Sequence, residues 1–171
     1  SHQPTSASET LSLRYGDCKD KTVLLISLLK AMDIEAFPAL VDTEETKRLK
    51  ELPPSASVFN HVIVTLKQNG KRYWLDPTVS YQRGTLEYLA QPDYGYALII
   101  DKGESALTSM AQKPVHTNVS VEDNFFIAEK VSESSRFETQ YTYAEFEAIN
   151  RRNNIASSGL NSVAKSYFEY Y

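Results

Sequence analysis

Phe59-Asn60-His61-Val62-Ile63-Val64-Thr65-Leu66, then Lys67-Gln68-Asn69-Gly70, then Lys71-Arg72-Tyr73-Trp74-Leu75-Asp76-Pro77: two β-rich runs lie on either side of an Asn-Gly dipeptide. Asn-Gly in that setting is the strongest short-range hairpin signal, because the tight turn needs positive φ at both central residues. With Asn69-Gly70 as a two-residue loop, Thr65 pairs with Trp74, Ile63 with Asp76, and Thr78 would face His61. His61 and Asp76 then share a face as diagonal neighbours, Cα atoms ~7 to 8 Å apart, near enough for imidazole and carboxylate to hydrogen-bond. A three-residue loop would break the parity and turn one of them away.

Working upstream, Gly16-Asp17-Cys18 runs into Lys19-Asp20-Lys21-Thr22-Val23-Leu24-Leu25-Ile26-Ser27-Leu28-Leu29-Lys30-Ala31-Met32. An Asp at the start and apolar residues around most of the circumference predict a largely buried helix with Cys18 in its first turn. Ile34 to Val41 reads as a buried strand, with Pro38 suggesting an edge or a bend. Asp42 to Ser57 reads as a polar, charge-rich loop. The first 13 residues read as a surface approach with one short helical turn at Ser8 to Leu13.

These pieces suit nucleophilic catalysis. A helix start stabilises an anion through its unpaired amides and macrodipole, which favours thiolate at Cys18. His61 can shuttle the proton, and Asp76 can hold the imidazole in one tautomer and orientation. The Cys18 N–H is a natural oxyanion donor, whereas no second donor is evident. Each residue also has an ordinary reading. A lone cysteine is more often a small buried hydrophobe than a nucleophile, a histidine on an apolar strand is usually a satisfied core residue, and Asp-Pro is usually a turn former. The coincidence of the three favours chemistry.

Composition narrows the classes. A chain of 171 residues, 42% hydrophobic, can bury one core, so one domain or one plus a short annex is expected. The net charge of -4 offers no dense basic patch for nucleic acid. Cys18 is the only cysteine, so no internal disulfide and no multi-cysteine metal site can form. No apolar run approaches the ~20 residues of a membrane helix, and Ser1-His2-Gln3-Pro4 does not lead into a signal-peptide core. His2 and His116 read as surface residues without metal-site spacing, and neither a metal nor an organic cofactor is expected.

The sequence resembles the transglutaminase-like superfamily, in the form found in multidomain exported bacterial proteins. The resemblance runs from Ser1 to about Met110 through Ser1-His2-Gln3-Pro4, Arg14-Tyr15-Gly16-Asp17-Cys18-Lys19-Asp20-Lys21, Phe37-Pro38-Ala39-Leu40-Val41, Phe59-Asn60-His61-Val62-Ile63-Val64, Tyr73-Trp74-Leu75-Asp76-Pro77-Thr78 and Tyr96-Ala97-Leu98-Ile99-Ile100. It implies an α+β, papain-like core, with a nucleophile helix packed on an antiparallel sheet, and places Cys18, His61 and Asp76 in the triad. It also implies a peptide or protein substrate and a periplasmic or exported location. Such relatives commonly end the nucleophile helix with glycine where this chain has Met32-Asp33, so Asp33 is expected in the left-handed turn conformation at some cost. They also carry segments ahead of the Ser-His-Gln-Pro block. This chain therefore resembles a fragment, for which self-association through surfaces left by missing segments is expected.

Beyond Met110 the pattern changes. Val115 to Lys130 and Arg136 to Tyr143 alternate like strands, and Ala144 to Tyr171 can hold one or two helices. The expected organisation is a core over 1–110 and a β-strand and helix annex over 111–171, with Tyr167, Phe168, Tyr170 and Tyr171 packed on a core. Two functions of different class follow: cysteine-dependent acyl transfer on peptide or amide substrates, or a non-catalytic peptide-binding or assembly module that keeps the geometry.

Overall fold

The computed structural model describes residues 3–110, 119–130 and 132–171; His2, His116 and the start of the Val115 to Lys130 run lie outside them. The fold is α+β, and the described strand pairings are all antiparallel. The described residues fall into two compact units, one within Ser1–Ser80 and Gln91–Lys113, the other within Tyr81–Ala90 and Pro114–Tyr171.

The first unit holds helices α1 (Ala7–Leu13) and α2 (Cys18–Ala31) and strands β1 (Ala36–Val41), β2 (His61–Gln68), β3 (Lys71–Leu75), β4 (Tyr96–Ile99) and β5 (Leu107–Ser109). The strands form one sheet in the order β3-β2-β1-β4-β5. Asn69 and Gly70 have φ of 51° and 74°, the positive pair that the two-residue turn requires, and Gln68 pairs with Lys71 across it. Thr65 accordingly pairs with Trp74, the register expected from the dipeptide. In β2 every residue from Val62 to Leu66 is buried, so both faces of that strand are covered. One face carries the core of Ala39, Val41, Ile63, Ala97, Ile99 and Met110, and His61, paired with Val41, projects from that same face.

Pro38 occupies the central strand of the sheet, not an edge. The Pro38 carbonyl accepts from Ile100 N at 2.8 Å, so its nitrogen, which points to the same side, faces the place where β4 pairing stops at Ile99. A residue with no N–H can sit inside a sheet where one ladder is ending.

Helix α2 begins with a full capping box. Asp17 accepts from the amides of Lys19 at 2.8 Å and Asp20 at 3.2 Å, while Asp20 Oδ2 accepts from Asp17 N at 2.9 Å. The other Asp20 oxygen accepts from Thr5 N at 2.7 Å, tying the approach segment to the helix start. Gly16 is required here, since a Cβ on it would lie 2.6 Å from that of Asp20. The Lys19 Nζ reaches the Asp17 carboxylate at 2.7 Å. The helix is less buried than its composition suggests: Thr22 alone is fully enclosed, and Leu28 and Met32 are exposed. It packs on α1, β1 and β2, which cover only one side of a helix that is apolar on most sides.

The segment expected as a polar loop folds into 3-10 turns at Thr46–Glu51 and Ala56–Val58. Buried Leu49 joins Leu40, Leu52, Pro53, Phe59 and Leu98 around an apolar pocket of about 450 Å³. Leu40 pairs with Val62 and alternates with Val41, so this pocket opens on the face of the sheet opposite His61.

The second unit pairs β6 (Val119–Phe126) with β7 (Arg136–Tyr143), followed by α3 (Glu145–Ser158) and α4 (Leu160–Tyr170). The inward residues of β7 are Phe137, Thr139, Tyr141 and Tyr143. Tyr171 meets Tyr141 through a hydroxyl bond of 2.6 Å, Tyr167 bonds to Tyr143, and Arg151 stacks over Tyr143 at 4.7 Å. Tyr167 and Tyr171 are four residues apart and share a face; Phe168 and Tyr170 point elsewhere and are 86% and 78% exposed. Of the four aromatics expected to pack on a core, only Tyr167 is half-buried; Tyr171 reaches the rings of Phe137 and Tyr170 but stays 54% exposed.

The end of α2 supplies a test. Asp33 has φ 58°, Ile34 N bonds to Leu29 O at 2.9 Å and Asp33 N to Lys30 O at 3.1 Å, which is a Schellman end with an exposed aspartate at the left-handed position. Replacing Asp33 by Gly removes the strain of a Cβ there, and urea unfolding should give a gain of about 0.5 to 1 kcal/mol. A loss of stability would contradict this account of the turn.

Candidate active site

Asp76 lies one residue past β3, its side chain 1% exposed. Its Oδ1 accepts from Thr78 N at 2.8 Å and Thr78 Oγ1 at 2.6 Å. Its Oδ2 accepts from His61 Nε2 at 2.9 Å and from Tyr94 Oη at 2.6 Å. The Asp76 amide in turn donates to Gln91 Oε1 at 2.8 Å. Burial by itself pushes a carboxyl up, but the bonds from His61, Thr78 and Tyr94 favour the anion more, and Asp76 is held down at about 2. Asp76 is thus an anion that only accepts.

That protonation state fixes the histidine. The 2.9 Å bond to a carboxylate requires Nε2 to carry the proton, leaving Nδ1 as the basic nitrogen of the neutral ring. The ring of Tyr94 meets that of His61 edge-on, with centroids 5.7 Å apart and planes at 67°. Burial, and then the bond to Asp76, push the Tyr94 hydroxyl above its ordinary range, so it remains a donor.

Cys18 is half-buried and is the first residue of α2. Thr22 lies one turn further along the same helix face. The Thr22 hydroxyl donates to Val62 O at 3.2 Å in a buried bond, and Val62 is the residue after His61. The start of α2 is therefore pinned to the start of β2. The Asp17 cap engages the amides of Lys19 and Asp20, and the Cys18 N–H lies ahead of both.

The structure brings His61 and Asp76 together, as the hairpin register requires; Cys18 stands at the start of α2 and makes no hydrogen bond to either of them. Sequence reasoning missed Tyr94, Gln91 and Thr22, and saw Thr78 only as a strand partner. Tyr94 and Gln91 come from an irregular stretch with no periodicity to mark them, and Thr22 is one of several polar residues in α2. The only sign of Tyr94 is the glycine after it. Gly95 has φ +70°, and a Cβ there would lie 2.7 Å from the Lys47 amide nitrogen. Among the described residues no group of three His, Cys, Asp or Glu side chains is placed to hold a metal ion, and no helix is long and apolar enough to cross a membrane. No family model, curated protein or solved structure matches the chain.

Two tests follow. Gly95→Ala should cost about 2 to 4 kcal/mol in urea unfolding, since neither the positive φ nor the backbone contact tolerates a methyl. Asp76 is lower in the folded state, at about 2, than its ordinary 3.8, so its contribution is full above about pH 4 and disappears as pH falls toward 2. The wild-type chain should therefore lose on the order of 2 kcal/mol more than Asp76→Asn over that window. Parallel stability curves for the two would overturn this.

Proposed function

We propose that this chain carries a cysteine-dependent acyl-transfer centre of the transglutaminase-like kind, acting on peptide or side-chain amides, with Cys18 as nucleophile, His61 as acid/base and Asp76 as its orienter. The observation that carries the reading is the His61–Asp76 bond of 2.9 Å at the strand start to which Thr22 pins the cysteine-bearing helix. A helix with a thiol in its first turn, packed on an antiparallel sheet, suits a papain-like core. On the same reading the chain belongs to an exported, periplasmic bacterial protein.

The chemistry balances without further groups. His61 Nδ1 takes the Cys18 proton, and the thiolate attacks the amide carbon, forming a C–S bond while the carbonyl oxygen becomes an anion near the Cys18 N–H. Collapse breaks the C–N bond, and the imidazolium returns its proton to the leaving amine. The resulting thioester is attacked by water or an amine that gives its proton to Nδ1, and breaking the C–S bond restores the thiol. Asp76, anionic throughout, stabilises the imidazolium without taking its proton.

Alkylation of the native chain by iodoacetamide at pH 7 tests the pairing directly. Wild-type Cys18 should react at least about tenfold faster than Cys18 in His61→Ala, in keeping with the usual size of general-base assistance. Equal rates would leave the non-catalytic module, retaining the fold but not the chemistry, as the better reading.

A further inference from the structure

We propose that Tyr94 is a positioning residue for His61: its hydroxyl is the donor that completes the set around the Asp76 carboxylate and so locks the imidazole in one tautomer and orientation. This role deepens the acyl-transfer reading and rests on it.

A carboxylate offers about four lone-pair sites in its plane. At Asp76 all of them are taken, two on Oδ1 by the amide and hydroxyl of Thr78, and two on Oδ2 by His61 and Tyr94. With the residue 2% exposed, solvent has little access to substitute for a missing donor. Thr78 is only two residues away and holds Oδ1 through a local turn, which fixes one oxygen but leaves the carboxylate free to tilt about it. Tyr94 comes from 18 positions further along the chain and holds the oxygen that meets the histidine. It therefore sets the direction of the Oδ2 lone pair that His61 Nε2–H must find.

The tyrosine is itself rigid. Its ring packs against the sheet core and bounds one edge of the imidazole, and its carbonyl accepts from Tyr96 N at 2.7 Å. The next residue, Gly95, crosses the Thr46–Lys47 backbone too closely for any Cβ, and its carbonyl accepts from Met110 N at 2.9 Å. A phenol anchored in this way resists rotation away from Asp76. Its ring alone would still confine His61, but without the hydroxyl one Oδ2 site is left empty in a nearly dry environment, and the carboxylate turns to share its charge elsewhere. The acceptor that holds the proton on Nε2 and keeps Nδ1 basic then loses its fixed direction.

The experiment is nitrogen-15 and proton NMR on histidine-labelled chain, which contains three histidines, together with Cys18 alkylation. In the wild type, His61 should show one protected Nε2–H signal and an unprotonated Nδ1. In Tyr94→Phe that signal should broaden or be replaced by a tautomer mixture, and alkylation at pH 7 should slow about tenfold, because the wrong tautomer cannot act as base. An unchanged His61 spectrum in folded Tyr94→Phe would overturn the proposal. If that variant does not fold, 3-fluorotyrosine placed at position 94 keeps the ring and strengthens the donor; a displaced Nε2–H signal is expected, and an unmoved one overturns the proposal equally. The spectrum reads the hold of Tyr94 on His61 whether or not Cys18 is a nucleophile, whereas the His61→Ala alkylation comparison reads the nucleophile. The two ideas can thus fail separately.

Discussion

The hydroxyl of Thr22, the one fully buried residue of α2, donates to the carbonyl of Val62, and this is the contact on which the placing of that helix on the sheet turns. Apolar packing brings α2 onto β1 and β2, but such packing is non-directional and would tolerate sliding along the strands. A hydroxyl bond to a strand carbonyl is directional, and sliding the helix by a residue would break it. That bond ties the early turns of α2, which begins at Cys18, to the start of the strand that carries His61.

The second constraint lies on the hairpin. Two positive φ values at Asn69 and Gly70 set the pairing of β2 with β3, and the pairing brings the residue after β3 to the residue that opens β2. Asp76 then occupies a place that burial alone would make hostile to charge. Donors from Thr78, His61 and Tyr94 reverse that penalty and keep it ionised. An anion so enclosed dictates the protonation of its neighbour, which is how a local turn and a distant tyrosine together decide which nitrogen of His61 is basic.

Helix α2 shows both ends of the same economy of design. At its start, Asp17 and Asp20 exchange bonds with each other's backbone, and Asp20 also secures Thr5, so the segment before Cys18 is tied to the helix start. At its end a left-handed aspartate stands where glycine would be unstrained. The two units differ in kind as well. The first encloses a sheet between packed layers, whereas in the second a hairpin meets helices largely through tyrosine rings and Arg151.

What could be read from the sequence was whatever depends on neighbours in the chain. Asn69-Gly70 decided the register of the hairpin, Asp17 decided where α2 begins, and these together placed Cys18, His61 and Asp76 as candidates. Pro38 was legible as a residue that cannot donate, but not as one in the central strand, because which ladder ends beside it depends on β4, some 60 residues on in the chain. The buried Thr22 bond and the place of Tyr94 beside Asp76 were decided by tertiary structure alone. The Thr22 and Tyr94 bonds are each a match between a polar atom and a partner from a distant segment, and hydrogen bonds of that kind leave no period in a sequence; only the glycine at position 95, needed where two backbones cross, marks one of them in the chain itself.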